Sequence, residues 1–228
     1  SVGVQKYKIA SHSLTNINLL KAVSILNKDV ILSTGMAEVD DIDLAVSIFK
    51  DKLSLLHCVS SYPTQIEESN LHLINFLKDR YKLPVGYSGH EIGFFPTLIA
   101  VSMGAAIIER HFTVDNKMEG FDHKISLEPE ELKNMILEIR KIENIIGKGS
   151  KSVTENEKIT KDKYHVSMVS SCVIKKGEKI SLDKITYKNP GTGISPKNEN
   201  LVIGSIAKQD INEDVLINFE MLKKINNE

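Results

Sequence analysis

The amino-acid sequence predicts an α/β fold of about five strand–helix units followed by a small β-rich domain. Three observations lead there. Short β-branched runs alternate with amphipathic stretches through the first two-thirds of the chain. These runs are apolar almost throughout, as expected of parallel strands buried on both faces. Beyond a charged stretch, the pattern changes to short β runs separated by turns such as KKGE and NPGTG.

The elements follow in order. YKIAS (7–11) precedes a helical pattern over Leu14–Leu26, and VILST (30–34) precedes one over Val39–Phe49. LSLLHCVS (53–60) is followed by Leu71–Leu77, PVGYSGH (84–90) by Phe94–Met103, and AAIIERHF (105–112) by Pro129–Ile146. Strand starts recur at roughly 22–30 residues, the span of one strand–helix unit in a barrel. Such units suit either an open doubly wound sheet or part of an eight-stranded barrel. No Gly-x-Gly-x-x-Gly follows any strand, which weakens the dinucleotide-binding version of the open sheet.

Residues 147–165 are charged and poor in apolar groups, and read as a linker. Their GKGSK start has neither the preceding strand nor the spacing of a phosphate loop. From Val166 onward the β-rich segment is near the low end of what folds alone, so docking on a partner surface is expected. Within it, VIKKGEKISLDKI loosely resembles AKQDINEDVLINFEML, which suggests an internal duplication.

The chain has 228 residues, 41% hydrophobic and 26% charged, with a net charge of −1. That is a globular composition. No basic cluster is present, so a nucleic-acid or anionic-membrane surface is not expected. No apolar run has the length of a membrane span, and the N-terminus does not read as a signal peptide. A cytoplasmic protein is expected. Cys58 and Cys172 fall in apolar, strand-like segments and read as buried free thiols rather than a disulfide.

The polar residues are gathered at strand ends: Ser11; Ser33 and Thr34; Ser60 and Ser61; Ser88 and His90; His111. Barrels collect their chemistry on that face. His90 and His111 end consecutive strands, so their imidazoles could share a divalent ion such as manganese, with positions left for water or substrate. Each also fits a buried, hydrogen-bonded strand histidine. Glu109 lies two residues before His111, on the same face of a pleated strand, and could orient a ligand or water. Lys8 stands in an apolar strand; an ammonium there needs an anionic partner, a wet site or an exposed edge. The strand-end serines could donate to the same anion or cap the following helices. Asp122 and His123 lie in the EGFDHK loop, where a carboxylate could grip sugar hydroxyls or form a solvated turn.

YKIAS, VILSTGM, LLHCVSSYPT, GYSGHE, GAAIIERHFT and GFDHKISLEPEEL, in this order and spacing, closely resemble segments of N-acetylneuraminate (sialic acid) synthases and their spore-coat and legionaminate relatives. The tail, with VIKKGEKI and VIGSIAKQDI, resembles the antifreeze-like (SAF, β-clip) domain that ends them. The resemblance implies an incomplete (β/α)₈ TIM barrel over 1–146, a linker over 147–165 and a SAF domain over 166–228. It implies a homodimer in which the tail of one subunit covers the partner's barrel mouth.

The implied reaction condenses phosphoenolpyruvate with N-acetylmannosamine, or a 2,4-diacetamido relative, and water, giving a sialic-acid-type sugar and phosphate. His90 and His111 would hold Mn2+ or Mg2+. Lys8, Ser11, Ser33, Ser60 and Ser88 would bind phosphoenolpyruvate. Tyr62, Asp122 and Asn189 would contact the sugar, with Lys8, Glu109 and Asp122 catalytic.

Three positions depart from the bacterial pattern. Ser60 stands where an asparagine is usual, Gly89 where an aspartate is, and Asn189 where an arginine reaches the acceptor sugar. The chain begins at what resembles the family's fourth strand. It is therefore expected to be a fragment, a split protein, or a remnant that keeps binding or dimerisation without turnover. A metal-dependent aldolase on a similar barrel accounts for the histidines but not for the tail.

Overall fold

The apolar runs form strands where the alternation places them. The computed structural model describes residues 3–49 and 51–223, and the chain divides into two units between Gly149 and Ser150. Residues 224–228 of the expected tail lie outside the described residues.

In the first unit, β1 (Lys6–Ile9), β2 (Asp29–Ser33), β3 (Leu53–Cys58), β4 (Val85–Gly89) and β5 (Ile108–Arg110) form one parallel sheet in sequence order. Among the described residues the order does not reverse, so these five strands form no switch-point crevice of the doubly wound kind. The sheet is curled: the ammonium of Lys8 on β1 lies 3.4 Å from the carboxylate of Glu109 on β5. That contact joins the two outermost strands across the concave face.

Helices α1 (Ile17–Ser24), α2 (Val39–Phe49), α3 (His72–Tyr81), α4 (Phe95–Ser102) and α5 (Pro129–Ile146) follow the five strands in turn. Alternate strand residues Ile9, Val30, Leu32, Leu53, Leu55, Val85 and Tyr87 pack in one core with Leu20, Ile42, Ala45, Ile74, Leu77 and Ala100 of the helices. The intervening strand positions, Lys8, Ser33, Cys58, Ser88 and Glu109 among them, fall on the opposite, concave face.

Local chemistry sets the helix ends. The helical pattern over 14–26 resolves into a shorter α1, preceded by a 3-10 turn, Ser11–Ser13, because the Asn16 side chain accepts a hydrogen bond from the Leu19 amide at 3.1 Å and caps it. Pro129 opens α5 behind a capping box in which Glu131 accepts from the Glu128 amide at 3.0 Å. Arg80 on α3 reaches back to Asp43 on α2, donating through Nε at 2.9 Å and Nη2 at 2.5 Å.

Within the stretch expected as a linker, 147–165, Glu155–Tyr164 form a helix, α6, with no buried residue. Its start is a capping box: Thr154 Oγ1 accepts from the Glu157 amide at 3.2 Å, and Glu157 accepts from the Thr154 amide at 2.9 Å. With no apolar stripe, helical periodicity gives no signal; the Thr-x-x-Glu cap does.

Beyond it, β6 (Ser167–Ser170) pairs with β7 (Ile185–Lys188), and β8 (Ile206–Ala207) with β9 (Leu222–Lys223), both antiparallel. The two similar segments are structural repeats. Ile174 and Ile211 exchange reciprocal backbone hydrogen bonds of 2.8 Å. Downstream, each segment continues through a single 3-10 turn, Leu182–Lys184 or Phe219–Met221, into β7 or β9. Met168, Ile174, Ile180, Val202, Ile211 and Ile217 fill this unit's own core.

Cys58 and Cys172 are free thiols; Cys58 is buried, while Cys172 is half-buried and follows β6 rather than lying within a strand. No described helix is long and apolar enough to cross a membrane.

Candidate active site

The concave face and the strand ends of the first unit bring together every site residue expected there. On one side, Lys8 Nζ donates to Ser33 Oγ at 2.8 Å and to the Ile9 carbonyl at 3.2 Å. Glu109, the counter-charge of Lys8, also accepts from Ser88 Oγ at 2.8 Å. Four strands thus contribute to one row of ammonium, hydroxyls and carboxylate. The Lys8 and Glu109 side chains remain 31% and 40% exposed, so an incoming anion has access to the ammonium.

A second cluster lies beside it. Ser11 Oγ accepts from the Gly35 amide at 3.0 Å and lies 3.6 Å from Cys58 Sγ. Ser60 Oγ stands 3.8 Å from the same sulfur. A Cβ at Gly35 would come within 2.3 Å of Ser60 Oγ and 2.9 Å of Ser11 Oγ, so a larger residue there would have to turn both hydroxyls aside. The four site serines turn towards these polar groups.

Cys58 Sγ leads on to His90, 3.9 Å from its Nδ1. That nitrogen lies 2.8 Å from the Val59 carbonyl. A carbonyl only accepts, so Nδ1 carries the proton and Nε2 presents its lone pair. His111 faces His90 with ring centroids 5.3 Å apart. Tyr62 lies against His90 at 4.3 Å and edge-on to His111 at 6.0 Å. Asp122 Oδ2 stands 3.7 Å from His111 Nδ1. Phe121, in the same loop, packs on Tyr62 at 5.6 Å.

Burial pushes the pKa of His111 down, against the opposing pull of Asp122, and favours a neutral imidazole. Burial opposes charge on His90 too, but its contacts with Cys58 and the Val59 carbonyl outweigh that and raise its pKa. Among the described residues, no three His, Cys, Asp or Glu side chains converge on one point. The residues that could hold a borderline divalent ion are the two imidazoles of His90 and His111, with water or substrate oxygen needed for its other positions.

Asn189 lies in the second unit, where its Nδ2 donates to the Tyr164 carbonyl at 3.3 Å. Five participants escaped the sequence reading as site residues: Gly35, Cys58, Glu91, Arg110 and Phe121. The STG turn directly after a strand was a usable signal for Gly35. Glu91 and Arg110 each adjoin a site histidine in sequence, and they form a buried ion pair.

Residues 1–151 match the NeuB family and residues 169–223 the SAF domain. An N,N'-diacetyllegionaminic acid synthase of Campylobacter jejuni is 41% identical over 222 residues, covering 95% of this chain and 66% of that one. Among solved structures, the N-acetylneuraminic acid (sialic acid) synthetase of Leptospira borgpetersenii is 45% identical, with a TM-score of 0.66 over 69% of this chain and 56% of that one. A spore coat polysaccharide biosynthesis protein E of Chromobacterium violaceum, 26% identical, superposes with a TM-score of 0.85 over 97% of this chain and 68% of that one. The chain spans about two-thirds of the length of the curated relatives it matches. Matched over most of its length, and laid out as its relatives are, the chain belongs to the NeuB family, that of the sialic acid synthases.

Proposed function

We propose that this chain carries the anion- and metal-binding face of a synthase that joins phosphoenolpyruvate to an N-acylated amino sugar. The observation that carries the reading is the continuity of the site. The row of Lys8, Ser33, Glu109 and Ser88 shares its concave face with a facing pair of imidazoles, His90 and His111. The names of the relatives supply the reaction class, and those names include both N-acetylneuraminic and diacetyllegionaminic acid enzymes.

In this reading Lys8 and the hydroxyls of Ser11, Ser33, Ser60 and Ser88 hold the phosphate and carboxylate of phosphoenolpyruvate. The incoming anion displaces Glu109 from Lys8, and the freed carboxylate accepts a proton from the attacking water. Asp122 accepts from sugar hydroxyls, and Tyr62 offers an aromatic face to the acyl group. Manganese or magnesium held by His90 and His111 would act as a Lewis acid on the sugar aldehyde. The five strands would form part of a (β/α)₈ barrel, with further strands pairing at the β1 and β5 edges. In a homodimer the tail would bring Asn189 to the partner's sugar site, where a neutral amide replaces a guanidinium's fork.

A coupled phosphate-release assay tests the reading. It uses phosphoenolpyruvate, manganese and either N-acetylmannosamine or 2,4-diacetamido sugars, on this chain and on a version extended upstream. The expected result is phosphate released in step with sugar consumed by the extended protein, and abolished by His111→Ala. Two folded, manganese-binding proteins that turn over no acceptor would sink the catalytic reading. Binding without turnover would replace it.

A further inference from the structure

Behind the two histidines lies a buried ion pair that the proposed chemistry does not use. Glu91 follows His90, and Arg110 precedes His111. Their side chains are 0% and 2% exposed, and Arg110 Nη1 donates to Glu91 Oε1. The same guanidinium donates to Thr97 Oγ1 at 3.3 Å and, through Nη2, to the backbone carbonyls of Glu91 at 2.7 Å and Gly93 at 2.8 Å. Tyr87 completes the cluster by donating its hydroxyl to Glu91 Oε2 at 2.9 Å. Burial and the adjacent carboxylate push the Tyr87 phenol up, so it stays a neutral donor.

One side chain from the His111 segment is thus fastened to two main-chain carbonyls just beyond His90. Stability alone gives little reason for such a pair, because apolar residues of similar volume often fold at least as well. Although its buried Nε has no hydrogen-bond partner, the guanidinium is held through both Nη atoms, which fixes a distance, and a lysine's single ammonium cannot reproduce that fork. Gly89 belongs to the same arrangement. A Cβ there would lie 2.6 Å from Glu91 Oε2 and 2.7 Å from Arg110 Nη1, both pinned by their hydrogen bonds. The absence of a side chain at position 89 is what leaves room for the pair.

We infer that Glu91 and Arg110 are positioning residues whose buried pair sets the spacing of His90 and His111 and thereby their affinity for a divalent ion. The inference rests on the proposed reading of the two histidines as a metal pair.

The test is a manganese titration of the full chain by calorimetry and by electron paramagnetic resonance. It compares the wild type with His111→Ala, Arg110→Lys, Gly89→Ala, and the double variant Glu91→Leu with Arg110→Met. Near-ultraviolet circular dichroism checks folding. Imidazole nitrogen spectra of the metal-free proteins report the His90 tautomer.

The double variant buries no charge. It is expected to fold and to bind manganese about 10–100-fold more weakly, as when a partner that orients a metal ligand is lost. Arg110→Lys should fail to restore the affinity, while the free imidazole spectra keep the His90 tautomer that the Val59 carbonyl sets. A folded double variant with wild-type manganese affinity overturns the inference while His111→Ala still loses the ion. If the double variant does not fold, Gly89→Ala decides: it presses on the pair without removing a charge, and unchanged manganese affinity there counts against the clamp. Wild-type protein that binds no manganese, or His111→Ala that binds it equally well, refutes the metal reading itself and the inference with it.

Discussion

Lys8 shows how much one residue can report. Its ammonium, set in an apolar strand, finds Ser33 at 2.8 Å and Glu109 at 3.4 Å, both on the face where a ligand would sit. Charge-assisted hydrogen bonds are worth about 1.5–3 kcal/mol, so Lys8→Ala should weaken phosphoenolpyruvate binding about 10–100-fold by calorimetry. Glu109→Gln should act oppositely on binding: with its internal competitor gone, Lys8 takes the anion at least as tightly, while turnover falls. The Lys8–Glu109 pair is partly exposed, so Glu109→Gln should shift unfolding free energy by less than about 1 kcal/mol. A Glu109→Gln protein that bound phosphoenolpyruvate more weakly would show that the carboxylate helps hold the substrate instead. That Lys8 needs an anionic partner, a wet site or an exposed edge was legible from its apolar neighbours. That the anion is Glu109 was not, because the contact depends on how far the sheet curls. Glu91 and Arg110 were harder still: adjacent to the histidines, they read as ordinary flanking charges until tertiary packing buried them.

Among the elements, α2 and α5 could be read to their ends, Val39–Phe49 and Pro129–Ile146, because apolar spacing and end signals agree there. The α6 helix was lost because it buries nothing; its cap carries the information that its faces do not. Thr154→Ala should therefore cost about 1 kcal/mol of local helix stability, seen as faster amide exchange over 155–164 with the first unit unchanged. The link between α2 and α3 has an acid limit. Hydrogen bonds from Arg80, then from Tyr81, lower the Asp43 pKa from 3.8 to about 2. A depressed carboxylate contributes stability that is present above its unfolded value and lost as pH falls through its folded one. Urea midpoints of wild type and Asp43→Asn should accordingly converge as pH is lowered from about 4 towards about 2. Curves that stay parallel over that window would leave the link without a stability role.

For the whole molecule, the order of segments could be read directly: strand–helix units, then a β-rich tail with two similar halves. Those halves proved to be structural repeats despite a loose sequence match, because turn, 3-10 segment and strand recur in the same register while side chains vary. What the sequence could not supply was the link between distant segments, since curvature and face are properties of the folded sheet. A ligand that binds only the folded state stabilises it by mass action. Manganese at one hundred times its dissociation constant should add about 2.7 kcal/mol to unfolding of the first unit, and a chelator should remove it. Differential scanning calorimetry would record this as a reversible upward shift of that unit's transition. No shift at saturating manganese would mean that the ion does not bind the folded form selectively.

The strand order β1-β2-β3-β4-β5 carries a kinetic consequence. Each strand pairs with the one made just before it, so every unit that emerges during synthesis meets an edge already in place. No early strand has to wait for a late one to be inserted between it and its neighbour. Within these five strands the contact of greatest sequence separation is the Lys8–Glu109 pair, so the site is completed on a sheet whose own neighbours are all local.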